Sequence, residues 1–323
     1  MFAGFGCQTR LLELPLHLFL AAAQMDAAQG ADGSLQDFGG QVLFFFQQDG
    51  GQHPAIGFGR RDLEDVRDFE PGLTGTVSRR LEEYLVADDV QVVNVAPLYG
   101  LLSVQGPKAE AVVRRLDLFQ EIPANPFQFV RVADGTLGEI YLMNQPRLGS
   151  TGFDVFVPVN SLGAVAGKLI AAARSDGGRA CGWPAFEITR IEAGIPRFGA
   201  DMDESNLPLE CGIEQRAVSY SKGCYIGQEV INRIHSIGHV NRELGGLRLA
   251  DDLRALPVKG DKLLHAGKEV GYITSAVKSP ALRANVALGY VRREANAAGT
   301  ELVVASAEGN RPATVVALPF RFS

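Results

Sequence analysis

The end of the chain contains six short segments with the residue pattern of β-strands. Gly, Pro and Asp, which favour turns, separate each segment from the next. The segments span residues 244–249, 262–265, 270–277, 286–291, 302–305 and 314–318. A run of short strands separated by turns predicts a small antiparallel β-barrel over residues 243–323.

The preceding region, residues 69–242, mixes helical and strand patterns. We predict helices over 73–84, 161–174 and 183–193, with a further helix after Pro107 on the apolar positions Ala109, Val112, Val113 and Leu116. Strands are predicted at residues 90–95, 101–104, 139–143 and 155–158. Strands alternating with helices in this way indicate an α+β core.

Size and charge limit the classes of protein that fit this sequence. At 323 residues the chain exceeds what one hydrophobic core usually supports, so two or three domains are expected. The formal net charge of −6 argues against direct nucleic-acid binding and against a membrane-surface protein.

Cysteine usage favours a reducing compartment. The four cysteines, Cys7, Cys181, Cys211 and Cys224, are widely spaced and form no Cys-x-x-Cys pair, so neither a disulfide framework nor a metal site is expected. The apolar run at residues 11–23 is interrupted by charge and is too short to span a bilayer. We therefore expect a cytoplasmic protein without an export signal.

The segment Lys222-Gly223-Cys224-Tyr225-Ile226-Gly227-Gln228-Glu229 places a thiol just ahead of a predicted helix. Apolar residues at helical spacing follow Glu229, so the helix should begin near Gly227 and Gln228. The positive end of the helix dipole and the Lys222 ammonium would both favour a thiolate at Cys224. The alternative is that Cys224 is a small buried side chain beside a tight turn.

This octapeptide resembles the K-G-C-Y-x-G-Q-E signature of the YgfZ family of folate-binding proteins, which are relatives of the glycine-cleavage T-protein. Residues 190–196, 102–108, 271–275 and 287–291 are similar to further segments of that family, and the resemblance extends from about residue 69 to residue 323. It implies a T-protein-like, α+β folate-binding core followed by a C-terminal antiparallel β-barrel.

Residues 1–68 lack the family's usual opening motifs. They are rich in Gln, and the first lysine of the whole chain is Lys108. We expect this segment to be strongly diverged or translated from a shifted reading frame, which the nucleotide sequence of the locus would test.

The resemblance also implies the ligand and the site. The ligand is tetrahydrofolate, with Glu192 contacting the pterin. Further folate contacts are implied at Arg190, Tyr225, Gly227, Gln228 and Arg233. Cys224 would be the functional thiol, supported by Lys222. The implied role is an accessory one in iron–sulfur cluster assembly or repair, with cluster-assembly or client proteins as partners, and indirect support of tRNA modification.

Two other functions remain open from the sequence. One is an aminomethyltransferase of the glycine-cleavage system, which needs an acidic residue that T-proteins supply from their N-terminal domain. The other is a folate-binding scaffold in which Cys224 has only a structural role. His235 and His239 are four residues apart, but without the glutamate of a His-Glu-x-x-His motif no metal site is expected there.

Overall fold

The computed structural model describes residues 43–46, 55–60, 63–68, 74–83, 91–221 and 224–321. Most of residues 1–68, the segment expected to be diverged or frameshifted, therefore lies outside the described part of the chain. Where the backbone of that segment is described, it forms strands, which the Gly-rich sequence did not predict. Among the described residues, no helix is long and apolar enough to cross a membrane.

The first part of the chain alternates strands and helices. Its strands are β1 Leu43–Phe46, β2 Ala55–Arg60, β3 Leu63–Asp68, β4 Gln91–Asn94, β5 Tyr99–Gln105, β6 Phe129–Asp134, β7 Gly138–Asn144, β8 Gly152–Pro158 and β9 Arg179–Cys181. Its helices are α1 Thr74–Glu82, α2 Ala109–Arg114, α3 Leu162–Ser175, α4 Trp183–Glu192, α5 Glu214–Ala217 and α6 Gln228–Ile237.

These strands form two sheets. The larger has the order β6-β7-β8-β5-β1-β9 and is antiparallel except for the β1–β9 pair, while β3, β2 and β4 form a smaller antiparallel sheet. Helices α2 and α3 pack on the larger sheet, where Val112 and Leu169 join the buried strand residues Leu102 and Val155 in one apolar core. Burial of this apolar face holds the helices on the sheet.

The end of the chain forms a closed six-stranded barrel, which confirms the predicted α+β architecture with a C-terminal antiparallel barrel. The strands are β10 Arg242–Leu249, β11 Lys262–His265, β12 Lys268–Ser279, β13 Ala284–Arg292, β14 Glu301–Ser306 and β15 Gly309–Val316, in the order β10-β13-β12-β11-β14-β15. Strand β15 pairs with both β14 and β10. Closure leaves no open sheet edge.

Helix α4 packs against both parts. Phe186 on α4 packs with Leu148 of the first part, and Ile191 packs in an apolar cluster with residues of the barrel region. Gly194 follows the helix at φ +70°, and a Cβ there would lie 2.9 Å from the Leu318 side chain. A glycine is required at this position because the backbone is left-handed and the barrel passes too close for a side chain.

Candidate functional site

Arg190 on α4 lies at the centre of a buried ion network. Its guanidinium is fully buried and contacts Asp201 at 2.6 Å and Glu187 at 2.8 Å. It also donates to the Ser275 hydroxyl of β12 at 3.1 Å. Burial alone would lower the pKa of Arg190, but Asp201 and Glu187 outweigh burial and raise it.

Asp201 extends this network into the barrel. Its second carboxylate oxygen accepts hydrogen bonds from Thr274 at 2.6 Å and Ser275 at 2.7 Å, both on β12. Arg190 and Asp201 therefore link α4 to the barrel from a position closed to solvent. The prediction that Arg190 contacts folate stays untested, but its donors are engaged in this network.

Glu192, two residues later, turns to a different part of the barrel. Its carboxylate accepts a hydrogen bond from Ser279 at 2.5 Å, at the end of β12, and another from the backbone of Ala281. Burial raises the pKa of Glu192, against the lowering effect of these two hydrogen bonds. The result is a partly buried carboxylate held at the junction of α4 and the barrel.

The cysteine segment leads into α6 as the sequence predicted. Gly227 occupies the N-cap position with φ +84°, and Gln228 is the first helical residue. Cys224 is exposed and lies three residues before this cap. Lys222 and Gly223 lie outside the described residues, so the predicted support of Cys224 by Lys222 remains a prediction.

Helix α6 buries less apolar surface than its pattern suggests. Ile231 is buried, but the side chains of Val230 and Ile237 are 54% and 84% exposed. Arg233 is also exposed. Its predicted contact with folate stays a prediction.

A polar cluster that the sequence did not reveal connects α5 to α6. The Glu214 carboxylate contacts His235 Nδ1 at 2.6 Å and accepts a hydrogen bond from the Tyr220 hydroxyl. The rings of Tyr220 and His235 stack with centroids 4.1 Å apart. Partial burial and the Glu214 carboxylate raise the pKa of Tyr220, and nearby Tyr225 adds to this shift. Tyr225 thus lies beside this cluster, and His235 is held by Glu214 rather than by His239.

A cleft of about 680 Å³ opens between the larger sheet and α5. Apolar side chains, including Ile122, Phe153 and Ile195, form much of its wall, and Arg216 of α5 contributes a guanidinium. Ile195 lies three residues beyond Glu192, so this cleft borders the end of α4. Among the predicted site residues that the structure describes, none lines this cleft.

A second cleft, about 880 Å³, lies at one end of the barrel. Arg242 lies over the rings of Tyr272 and Tyr290 there and pairs with Glu210 at 3.3 Å. Two further ion pairs join Lys262 with Glu269 and Arg292 with Glu294 at this end. Arg293 also lines the cleft and adds a positive charge.

The structure brings the predicted residues together in two groups. Glu192 and Arg190 share α4 but face different partners, while Cys224, Tyr225, Gly227 and Gln228 belong to the start of α6. Sequence reasoning missed Arg216 because it lies in a four-residue helix without a recognisable motif.

Two family models match consecutive parts of the chain. Residues 72–222 match the GCVT N-terminal domain, and residues 242–321 match the glycine cleavage T-protein C-terminal barrel domain. The second match begins at the first residue of β10.

Curated relatives and a solved structure agree with these matches. An aminomethyltransferase of Geobacillus kaustophilus is 29% identical over 235 residues, covering 73% of this chain and 64% of the relative. One from Halalkalibacterium halodurans is 31% identical over 236 residues, covering 72% and 63%. The chain thus matches slightly less than two thirds of the length of these relatives.

The crystal structure of glycine cleavage system aminomethyltransferase T from Bartonella henselae shares the fold. Its TM-score is 0.68 at 23% identity, covering 87% of this chain and 76% of that one. With both domains matched in order and the barrel closed as described, the chain belongs to the T-protein superfamily.

Proposed function

We propose that the protein binds tetrahydrofolate, the ligand that its family resemblance implies, and transfers to it a one-carbon unit from an aminomethyl group, the group for which its aminomethyltransferase relatives are named. The observation that carries this proposal is the partly buried Glu192 carboxylate at the junction of α4 and the barrel. Tetrahydrofolate would supply the acceptor for the one-carbon unit.

The residues present fit such a ligand. A pterin presents adjacent N–H donors on one edge, and an ionised carboxylate has about four acceptor sites, of which Ser279 and Ala281 occupy two at Glu192. A cleft of about 680 Å³, whose wall includes Ile195 but not Glu192, falls within the usual size of small-molecule sites, about 300–1,000 Å³. Its apolar wall suits an aromatic ring.

In this proposal Glu192 orients the ligand rather than moving a proton. Ser279 fixes its carboxylate, and partial burial strengthens each hydrogen bond that it accepts. The acidic residue expected near the reacting atoms would come from the N-terminal segment, most of which lies outside the described residues, so no proton transfer is assigned to it.

Calorimetric titration with tetrahydrofolate under reducing, anaerobic conditions tests this function. We expect saturable binding by the wild type and about 10- to 100-fold weaker binding by Glu192→Gln, because a neutral amide accepts less strongly and its NH₂ group opposes the pterin donors. Glu204→Gln, at an exposed position, is the matched control.

A second assay addresses catalysis. The wild type, given an aminomethyl-bearing donor, should release ammonia faster when tetrahydrofolate is present. If the wild type binds tetrahydrofolate but does not release ammonia faster, the protein binds folate and the proposed transferase activity is refuted. Absence of folate binding by the wild type would refute both parts of the proposal.

The exposed Cys224 favours a second candidate function. A thiol ahead of a helix N-terminus is placed for reaction or for transient metal contact, as the YgfZ resemblance implies for an accessory role in iron–sulfur assembly and tRNA modification in the cytoplasm. Complementation of a cluster-assembly defect by Cys224→Ser, with Cys181→Ser as the control, tests it. Equal complementation by both variants would show that this function does not need the Cys224 thiol.

A further inference from the structure

Two paired strands of the barrel carry arginines directly opposite each other. In the register of β10 and β13, Arg242 lies opposite Arg292. Because side chains alternate along a strand, both arginines share the outer face of the barrel with Tyr290, while Val291 packs in the apolar core inside. Like charges directly opposite each other destabilise a sheet. Arg242 and Arg292 therefore occupy positions where they repel each other.

The cleft of about 880 Å³ at this end of the barrel, here called the barrel-end cleft, lies against the arginine pair. Arg242 and Arg292 both line it, as do Arg293 and His239. The backbone N–H of Arg293 donates to the Asn241 carbonyl at 3.0 Å, which holds the segment containing His239 beside the end of β13. Three guanidinium groups and an imidazole thus share one cleft.

Two of the charged groups in the barrel-end cleft are already paired. Arg242 contacts Glu210 at 3.3 Å and lies over the ring of Tyr290. Glu269 contacts Lys262 at 2.6 Å. The guanidinium of Arg242 is therefore held in the wall, and most of the donors that a ligand could reach belong to other residues.

Arg292 and Arg293 have weaker compensation. The contact between Arg292 and Glu294 is 4.0 Å long, and these side chains are 62% and 63% exposed, so the pair contributes little. Within the residues that the structure describes, no carboxylate pairs with Arg293, which is exposed. An anion that contacted both guanidinium groups would also reduce the repulsion between Arg292 and Arg242.

We propose that the barrel-end cleft binds a small aromatic phosphate ester, whose phosphate contacts Arg292 and Arg293 and whose ring lies against Tyr272. A phosphate carries up to about two negative charges at neutral pH and accepts through three oxygens, so it can contact two guanidinium groups at once. Tyr272 lines the cleft and is only half-buried, so it offers aromatic surface to a ring. The cleft also has the usual size of a small-molecule site.

This site is separate from the one proposed for folate. Among the described residues, none of those placed in the folate or cysteine site, including Glu192 and Cys224, lines the barrel-end cleft. The inference therefore does not rest on the proposed function, and either can fail without the other.

Phenyl phosphate, inorganic phosphate and phenol separate the effects of the charge and the ring. Calorimetric titration at low ionic strength, in a buffer without phosphate, should show saturable binding of phenyl phosphate, weaker binding of inorganic phosphate and no binding of phenol. Arg292→Gln and Arg293→Gln should each weaken phenyl phosphate binding about 10- to 100-fold, the effect of losing one charge-assisted hydrogen bond. In Tyr272→Leu, phenyl phosphate should lose its advantage over inorganic phosphate.

Two controls separate binding from folding. Arg254 is exposed in the loop that follows the opposite end of β10, so Arg254→Gln should bind phenyl phosphate as the wild type does. Arg292→Gln removes the repulsion with Arg242, so without ligand it should unfold at the temperature of the wild type or above it. Weaker binding by Arg292→Gln would then come from the lost contact and not from a lost fold.

Other results contradict the proposal in distinguishable ways. If phenyl phosphate binding survives both arginine substitutions, the anion binds elsewhere. If the wild type binds phenyl phosphate and inorganic phosphate equally, the cleft has no place for the ring. If tetrahydrofolate displaces phenyl phosphate, the two sites are one. If the wild type binds no phosphate at all, the site is refuted and the proposed folate function is unaffected.

Discussion

At the scale of single residues, Glu192 shows how a binding group costs stability. Its carboxylate lies partly out of water, and burial raises its pKa even though Ser279 and Ala281 donate to it. A charge in this position lowers the stability of the folded protein, because it is partly removed from water, while it strengthens the hydrogen bonds that a ligand can donate to it. Such a conflict is typical of functional positions.

Glu192→Gln should therefore make the protein more stable at neutral pH while weakening folate binding. Burial raises the pKa of Glu192 in the folded protein above 4.5, its ordinary value. The contribution of Glu192 to the free energy of unfolding is therefore fully present below pH 4.5, and it is lost as pH rises through the folded pKa because the buried carboxyl group must then ionise. Glutamine has no such loss and still offers an oxygen to Ser279.

Urea unfolding at several pH values between 4 and 8 checks this prediction. The difference in unfolding free energy between Glu192→Gln and the wild type should grow as pH rises. A constant difference across the range would mean that ionisation of Glu192 has no part in it.

At the scale of elements, α6 depends on how it begins. Gly227 adopts φ +84° at the N-cap, and nothing lies within 4 Å of the position of an added Cβ. Backbone conformation alone therefore demands glycine there. The start of the helix in turn positions Cys224, Tyr225 and Gln228.

Gly227→Ala should destabilise the protein by about 1–2 kcal/mol, the cost of a left-handed alanine. Gly167→Ala, at an exposed position inside α3 with open space around it, should instead stabilise by about 0.5–1 kcal/mol. Chemical unfolding of both variants measures the contrast. Equal effects on stability would show that the conformation of Gly227 does not determine how α6 begins.

At the scale of the whole molecule, α4 couples the sheet region to the barrel. Arg190 and Asp201 connect it to Thr274 and Ser275 on β12, and Ile191 packs among barrel residues. Both halves should therefore unfold in a single cooperative transition.

Asp201→Asn should weaken this coupling. It leaves the buried guanidinium of Arg190 with less compensating charge, and breaking such a pair costs about 3–5 kcal/mol. Thermal unfolding followed by calorimetry should show a lower and broader, or divided, transition. Asp251→Asn, at an exposed ion pair, should change stability by at most about 1 kcal/mol. Equal effects of the two substitutions would contradict the coupling role of Asp201.

Local sequence patterns were sufficient for most elements but not for their exact extents. The predicted strand at 262–265 agrees with β11, and the helix at 161–174 differs from α3 by one residue at each end. The last strand was predicted at 314–318, whereas β15 spans Gly309–Val316, because Gly309 and Pro312 obscure its alternation. Strand β6 was missed entirely.

The sequence by itself determined the order of the elements, the C-terminal barrel and the glycine that starts α6, because these depend on residue period and on backbone conformation. Only the tertiary structure decided which polar side chains meet. Glu192 contacts Ser279, 87 positions later, and Arg190 donates to Ser275, 85 positions later. No local pattern encodes such contacts, since they arise when distant elements bury their apolar faces against each other and their polar groups must then find partners.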